Sequence, residues 1–177
     1  MNEKYIQSSS GGTHLELIAI TENGELTKSI SPTSQVASDV AGAMAQLYRA
    51  VGYAPPWIGY FAIEDSSCVG TCGFKSPPQN NRVEIAYFTF PEYESRGVAT
   101  RMAAELILMA LDKMPAVTVA AQTLPQENAS TSVLRKLGFR KVDIVNHPED
   151  GLVWEWHLSD ASEARQFTTR EIESPYP

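Results

Sequence analysis

The residues best suited by type and spacing to chemistry are Arg96, Gly97, Val98, Ala99 and Thr100, where a short loop opens a long helical run. The first turn of a helix carries backbone N–H groups with no intrahelical partner, and the helix dipole adds partial positive charge. Together they form an anion site. Gly97 removes the Cβ that would block close approach, Ala99 keeps the next contact small, and Arg96 and Thr100 add side-chain donors. A pyrophosphate suits this cradle; a plain strand-to-helix turn is the simpler alternative. The chain has neither G-x-G-x-x-G nor G-x-x-x-x-G-K-[ST], so two common phosphate loops are excluded.

Other reactive residues are sparse. Cys68 and Cys72 sit four apart in CVGTC, on one face of a strand but too far apart to bridge, and read as small apolar fillers. His14, His147 and His157 are dispersed, without metal-ligand spacing, so no metal is expected.

The elements that must position the loop follow from periodicity. His14–Ile20 alternates as a first strand. SPTSQ starts a helix over Val36–Val51, stopped by Gly52 and Pro55-Pro56. Trp57–Ile63, Cys68–Lys75 and Val83–Phe90 form an antiparallel meander. From Gly97 the spacing turns helical, with Arg101, Glu105, Leu108 and Asp112 as a largely polar stripe on a helix otherwise buried against a sheet. Ala116–Thr123 reads as a buried strand, Ser130 to Leu137 as a short helix closed by Gly138, and Phe139–Val145 and Leu152–Leu158 as final strands. The fold class is α+β, one mixed sheet with helices on both faces.

The 177 residues suit one domain, with a flexible leader over 1–12, a domain over 13–158 and a loosely held polar tail over 159–177. Acidic residues outnumber basic ones, 21 to 14, which disfavours nucleic-acid and anionic-membrane partners. No apolar run is long enough for a membrane span, and Met1 to Gly12 lacks a secretory core, so a reduced, cytoplasmic setting is expected.

Two segments carry a family resemblance. Glu94-Ser95-Arg96-Gly97-Val98-Ala99 resembles the Q/R-x-x-G-x-G/A acetyl-CoA loop of the GNAT superfamily of N-acetyltransferases, with Glu94 in place of the leading Gln or Arg. LPQENASTSVLRKLGFRKV resembles the later N-x-x-S motif and its L-G-F ending; Ala129-Ser130, Val133-Leu134, Lys136 and Leu137-Gly138-Phe139 match in register. The motif's asparagine falls on Glu127, one place before Asn128. VEIAYFTFPEYE and ASTSVLRKLGF are similar to the ribosomal-protein N-terminal acetyltransferase branch.

The resemblance implies a three-layer fold with a central, mostly antiparallel sheet. It also implies acetyl-CoA as co-substrate and direct transfer to an amine-bearing small molecule or to a peptide or protein N-terminus. Backbone groups of Phe88, Thr89 and Phe90 would meet the pantetheine arm, Asn128 would reach it from the loop, and residues 96–100 would hold the pyrophosphate. Glu84 shares a strand face with Ala86, Phe88 and Phe90, and is the candidate base among apolar neighbours; a solvated glutamate is the alternative. Ser130 is the candidate acid toward the sulfur, or else a helix N-cap, because Leu134 occupies the place where many relatives have tyrosine. A homodimer is compatible with this reading. So is a catalytically silent module that binds acyl-CoA or a protein.

Overall fold

The computed structural model describes residues 14–25 and 35–168. The elements in chain order are β1 (Glu16–Ala19), α1 (Gln35–Val51), β2 (Gly59–Glu64), β3 (Ser67–Phe74), β4 (Arg82–Thr89), a 3-10 turn (Pro91–Tyr93), α2 (Val98–Lys113), β5 (Thr118–Thr123), α3 (Ala129–Lys136), β6 (Phe139–His147), β7 (Gly151–Leu158) and α4 (Ser162–Arg165). The SPTS helix start and the 1–12 leader lie outside the described residues.

The strands form one sheet in the order β1-β2-β3-β4-β5-β7-β6. Every neighbouring pair is antiparallel except β4–β5, which is parallel. Helices cover both faces because β3 alternates between them: Gly70 faces Met102 of α2, whereas Gly73 shares the opposite face with Gly59, beneath Met44 of α1. Tyr48 locks α1 in place, accepting from the Gly59 amide at 2.8 Å and donating to the Ile20 carbonyl at 3.3 Å. The fold is therefore α+β and three-layered.

Two expectations change on contact with the packing. On α2, only part of the polar stripe is wet: Glu105 and Leu108 are buried, and Arg101 pairs with Glu64 at the end of β2. The tail over 159–177 is not wholly loose either. Ser159 N donates to the Gly138 carbonyl at 3.0 Å, Ala164 of α4 is fully buried, and Lys136 Nζ lies 4.5 Å from the Phe167 ring centre. Ala164, between Glu163 and Arg165, gives α4 its buried side.

Candidate active site

The site begins where the sheet comes apart. The parallel ladder of β4 and β5 holds only Arg82 with Thr118, Val83 with Val119 and Glu84 with Ala120. Beyond Glu84 the two strands diverge. Backbone groups in a ladder alternate between neighbours. On β4 the even residues turn to β3: Glu84 O accepts from Lys75 N at 3.0 Å, and Phe90 N donates to Val69 O at 3.0 Å. The same alternation aims the N–H and C=O of Ile85, Tyr87 and Thr89 into the gap.

This parity revises the expected pantetheine contacts. Of Phe88, Thr89 and Phe90, only Thr89 offers its backbone to the gap. The Phe90 amide is taken by Val69 and its ring is buried, while the Phe88 ring is exposed. Tyr87 shares the backbone direction of Thr89 and lines the groove, and strict period-two counting along VEIAYFTF would have added it to the candidates. Its hydroxyl donates to the Ser130 carbonyl at 3.3 Å, and burial pushes the phenol well above its ordinary range.

A groove of about 340 Å³ continues from the gap, lined by Tyr87, Thr89, Glu94, Gly97, Thr100 and Ser130 among others. Gly97 precedes α2 with φ +74°, the left-handed region that glycine enters freely, and no side chain caps the helix. The first helical bond is Arg101 N to Gly97 O at 3.1 Å, and among the described residues no protein acceptor meets the amides of Ser95 through Thr100. These are the free amides an anion needs. A Cβ built on Gly97 would meet only Arg101 Nη1, at 3.4 Å, so the space above the loop is open. Inside the groove Thr89 Oγ1 is buried without a hydrogen-bond partner. A diphosphate on the amides and an amide-bearing arm along β4 fit these vacant donors and acceptors.

The remaining loop residues take distinct places. Val98 is buried and does not line the groove; Ala99 and Thr100 do. Arg96 is exposed at the mouth, its guanidinium 5.4 Å from the Tyr93 ring centre, and its carbonyl accepts from Arg101 Nη1 at 3.1 Å. Asn128, not Ser130, is the N-cap of α3. Its Oδ1 accepts from Thr131 N at 3.0 Å and its own amide donates to Thr131 Oγ1 at 3.0 Å, a reciprocal capping box. Ser130 is released from capping and lines both the groove and a second cavity with Lys75, Gln122 and Asn128.

Glu84 is the last paired residue before the strands part. Its surroundings are not the apolar ones expected from its strand face. Oε1 lies 2.8 Å from Lys75 Nζ and Oε2 3.1 Å from Arg82 Nη2. Arg82 also donates from Nε to Glu155 at 2.8 Å, and Glu155 accepts from Gln122 at 2.9 Å, so a polar network runs from Lys75, just past β3, through β4 and β7 to Gln122 of β5 at the root of the gap. Neighbouring strands bring the cations, and one strand's pattern does not display them. Neither cysteine takes part: burial, then the Glu105 carboxylate, pushes the Cys72 thiol far up, and burial raises Cys68. Among the described residues no cluster of three or more His, Cys, Asp or Glu side chains is placed to hold a metal ion.

The fold is that of an acetyltransferase, and the groove opens where its strands part. A family model for the acetyltransferase (GNAT) domain matches residues 13–140, and the chain belongs to the GNAT acetyltransferase family. Among solved structures it is similar to RimL, a ribosomal L7/L12 alpha-N-protein acetyltransferase, with TM-score 0.61, 16% identity, and coverage of 82% of this chain and 93% of that one. A spermidine N-acetyltransferase SpeG chimera from Vibrio cholerae and hSSAT aligns with TM-score 0.59 and 9% identity over 89% of this chain and 100% of its own. A Bacillus anthracis acetyltransferase solved in complex with acetyl coenzyme A aligns with TM-score 0.51 and 21% identity over 63% of this chain and 66% of its own. No curated protein sequence matches significantly.

Proposed function

We propose that the chain transfers the acetyl group of acetyl-CoA directly to a primary amine, on a small molecule or at a peptide or protein N-terminus. The observation that carries this reading is the continuity of vacant backbone groups, from the uncapped amides at Ser95–Thr100 along the open edge of β4 to the parting of the strands. A protein N-terminus and spermidine are the acceptors in the names of two similar structures, so both amine types have precedent on this fold.

The bonds balance without a covalent enzyme intermediate. The acceptor ammonium gives a proton to a base, its nitrogen lone pair forms a C–N bond with the thioester carbonyl, and the C–S bond then breaks with its pair on sulfur. The departing thiolate takes up a proton. Glu84, at the root of the gap, is the base in this reading, and Ser130, shared by two cavities, is the donor toward sulfur. A second reading, a module that binds the carrier without transfer, is favoured by the two cations already held by Glu84.

The deciding experiment is thermal denaturation with and without acetyl-CoA, for the parent and for Gly97→Glu. At 100 times its dissociation constant the ligand adds ~2.7 kcal/mol to the parent. The variant gains nothing, because a side chain at φ +74° strains the loop and its carboxylate repels the diphosphate. Equal stabilisation of both proteins, or of neither, overturns the site. Release of free thiol with an amine acceptor then separates transfer from binding alone.

A further inference from the structure

On the α1 face of the sheet lies another cavity, of about 220 Å³, lined by Val40 and Met44 of α1, Tyr60, Thr71, Ala86 and Phe88 among others. It exists because Gly59 and Gly73 stand opposite each other on β2 and β3. A Cβ at Gly59 would lie 2.6 Å from Met44 Cε, and one at Gly73 2.7 Å from the Gly59 Cα, so the sheet surface must stay bare for α1 to approach. The cavity and the cofactor groove both have Tyr87 and Phe88 of β4 in their walls. Lys75 stands in its wall and also in the wall of the cavity that contains Ser130.

Among the described residues lining the cavity, the charged side chain is that of Lys75. None of the described residues lining this cavity is a carboxylate, and the nearby Glu84 is held by Lys75 and Arg82. A second ammonium on the acceptor would lose its hydration against an apolar wall that offers it no carboxylate, beside a Lys75 already paired with Glu84. An apolar side chain would instead cover Val40, Met44 and Ala86, while a carboxylate or peptide carbonyl would face Lys75. The volume falls below the roughly 300–1,000 Å³ of a site for a drug-sized ligand, so the apolar group is compact. Resting on the transfer reading above, we infer that the acceptor is the α-amino group of a compact apolar amino acid, free or as the first residue of a peptide.

The test compares thiol release from acetyl-CoA with leucine, a leucine-led tripeptide, an aspartate-led tripeptide and spermidine. The leucine acceptors are expected to exceed the other two by about 100-fold in kcat/KM, the scale of discrimination by one well-fitted group. Preference for free leucine over the tripeptide, or the reverse, identifies the source. Ala86→Phe, which fills the cavity, raises the KM for leucine acceptors and leaves the acetyl-CoA dissociation constant alone. Fastest release with spermidine or the aspartate-led peptide, or an unchanged leucine KM in Ala86→Phe, overturns the inference and leaves amine acetylation standing. Bound acetyl-CoA with no release to any acceptor overturns both.

Discussion

Arg101 reaches back along its own helix to donate from Nη1 to the carbonyl of Arg96 at 3.1 Å, while Nη2 pairs with Glu64 at the end of β2. One side chain thus ties the loop before α2 to the end of β2. Arg101→Met is expected to cost about 2–3 kcal/mol in urea unfolding, below the roughly 3–5 kcal/mol of a fully buried pair because Arg101 is partly exposed. It also weakens acetyl-CoA binding. Adding Glu64→Gln removes the stranded carboxylate and returns much of the stability, but the loop stays unanchored and affinity stays low. If affinity returned with stability, the pair would act on the fold alone.

Thr89 separates stability from binding in the opposite direction. Its buried Oγ1 has no hydrogen-bond partner among the described residues. Thr89→Val keeps the shape and removes the orphan, so stability rises by roughly 1 kcal/mol while the carrier loses a hydrogen bond, about a three- to tenfold loss of affinity. Calorimetric titration against the melting temperature checks it; a variant that binds acetyl-CoA as tightly as the parent sinks the idea.

For Glu84, replacement by Gln is expected to lower turnover about 100-fold at neutral pH with acetyl-CoA affinity kept, the usual range of a general base. Steady-state thiol release across pH is the measurement. A pH–rate profile that does not change with the substitution removes Glu84 as base and leaves it as the clasp between Lys75 and Arg82.

The start of α3 makes two stability predictions. Asn128→Ala loses the cap and costs about 1 kcal/mol. Just before it, the hydrogen bond from Arg135 holds the Glu127 carboxyl down at about 2 from its ordinary 4.5, with Thr131 assisting. A depressed carboxyl adds stability that is fully present above pH 4.5 and disappears as pH falls toward 2. The stability gap between the parent and Glu127→Gln should therefore be flat from neutral pH to 4.5 and close below it; a gap that widened in acid would contradict the pairing.

Most of the elements could be read from the sequence because their signals are local. VEIAYFTF alternates, and Gly97 and Gly138 mark a helix start and a helix end, where they take φ +74° and +89°. What the sequence left open depends on neighbours brought together by sheet register. Lys75 reaches Glu84 because β3 and β4 are adjacent and antiparallel, and Glu64 at the end of β2 meets Arg101 from a helix that packs on β3 and β4. The cap of α3 lies two residues before Ser130 because Asn128 and Ser130 are both good capping types, and only the partnership with Thr131 decides between them.

A sheet whose fourth and fifth strands share only three residue pairs is two half-sheets joined by a short seam. On the reading advanced above, the pantetheine arm does more than present a thioester: it occupies the place of a missing strand and stitches the halves together. Loading and discharge of the carrier would then be felt as stiffening and loosening across the whole molecule. Amide exchange at Ile85, Tyr87 and Thr89 is where that breathing would be recorded.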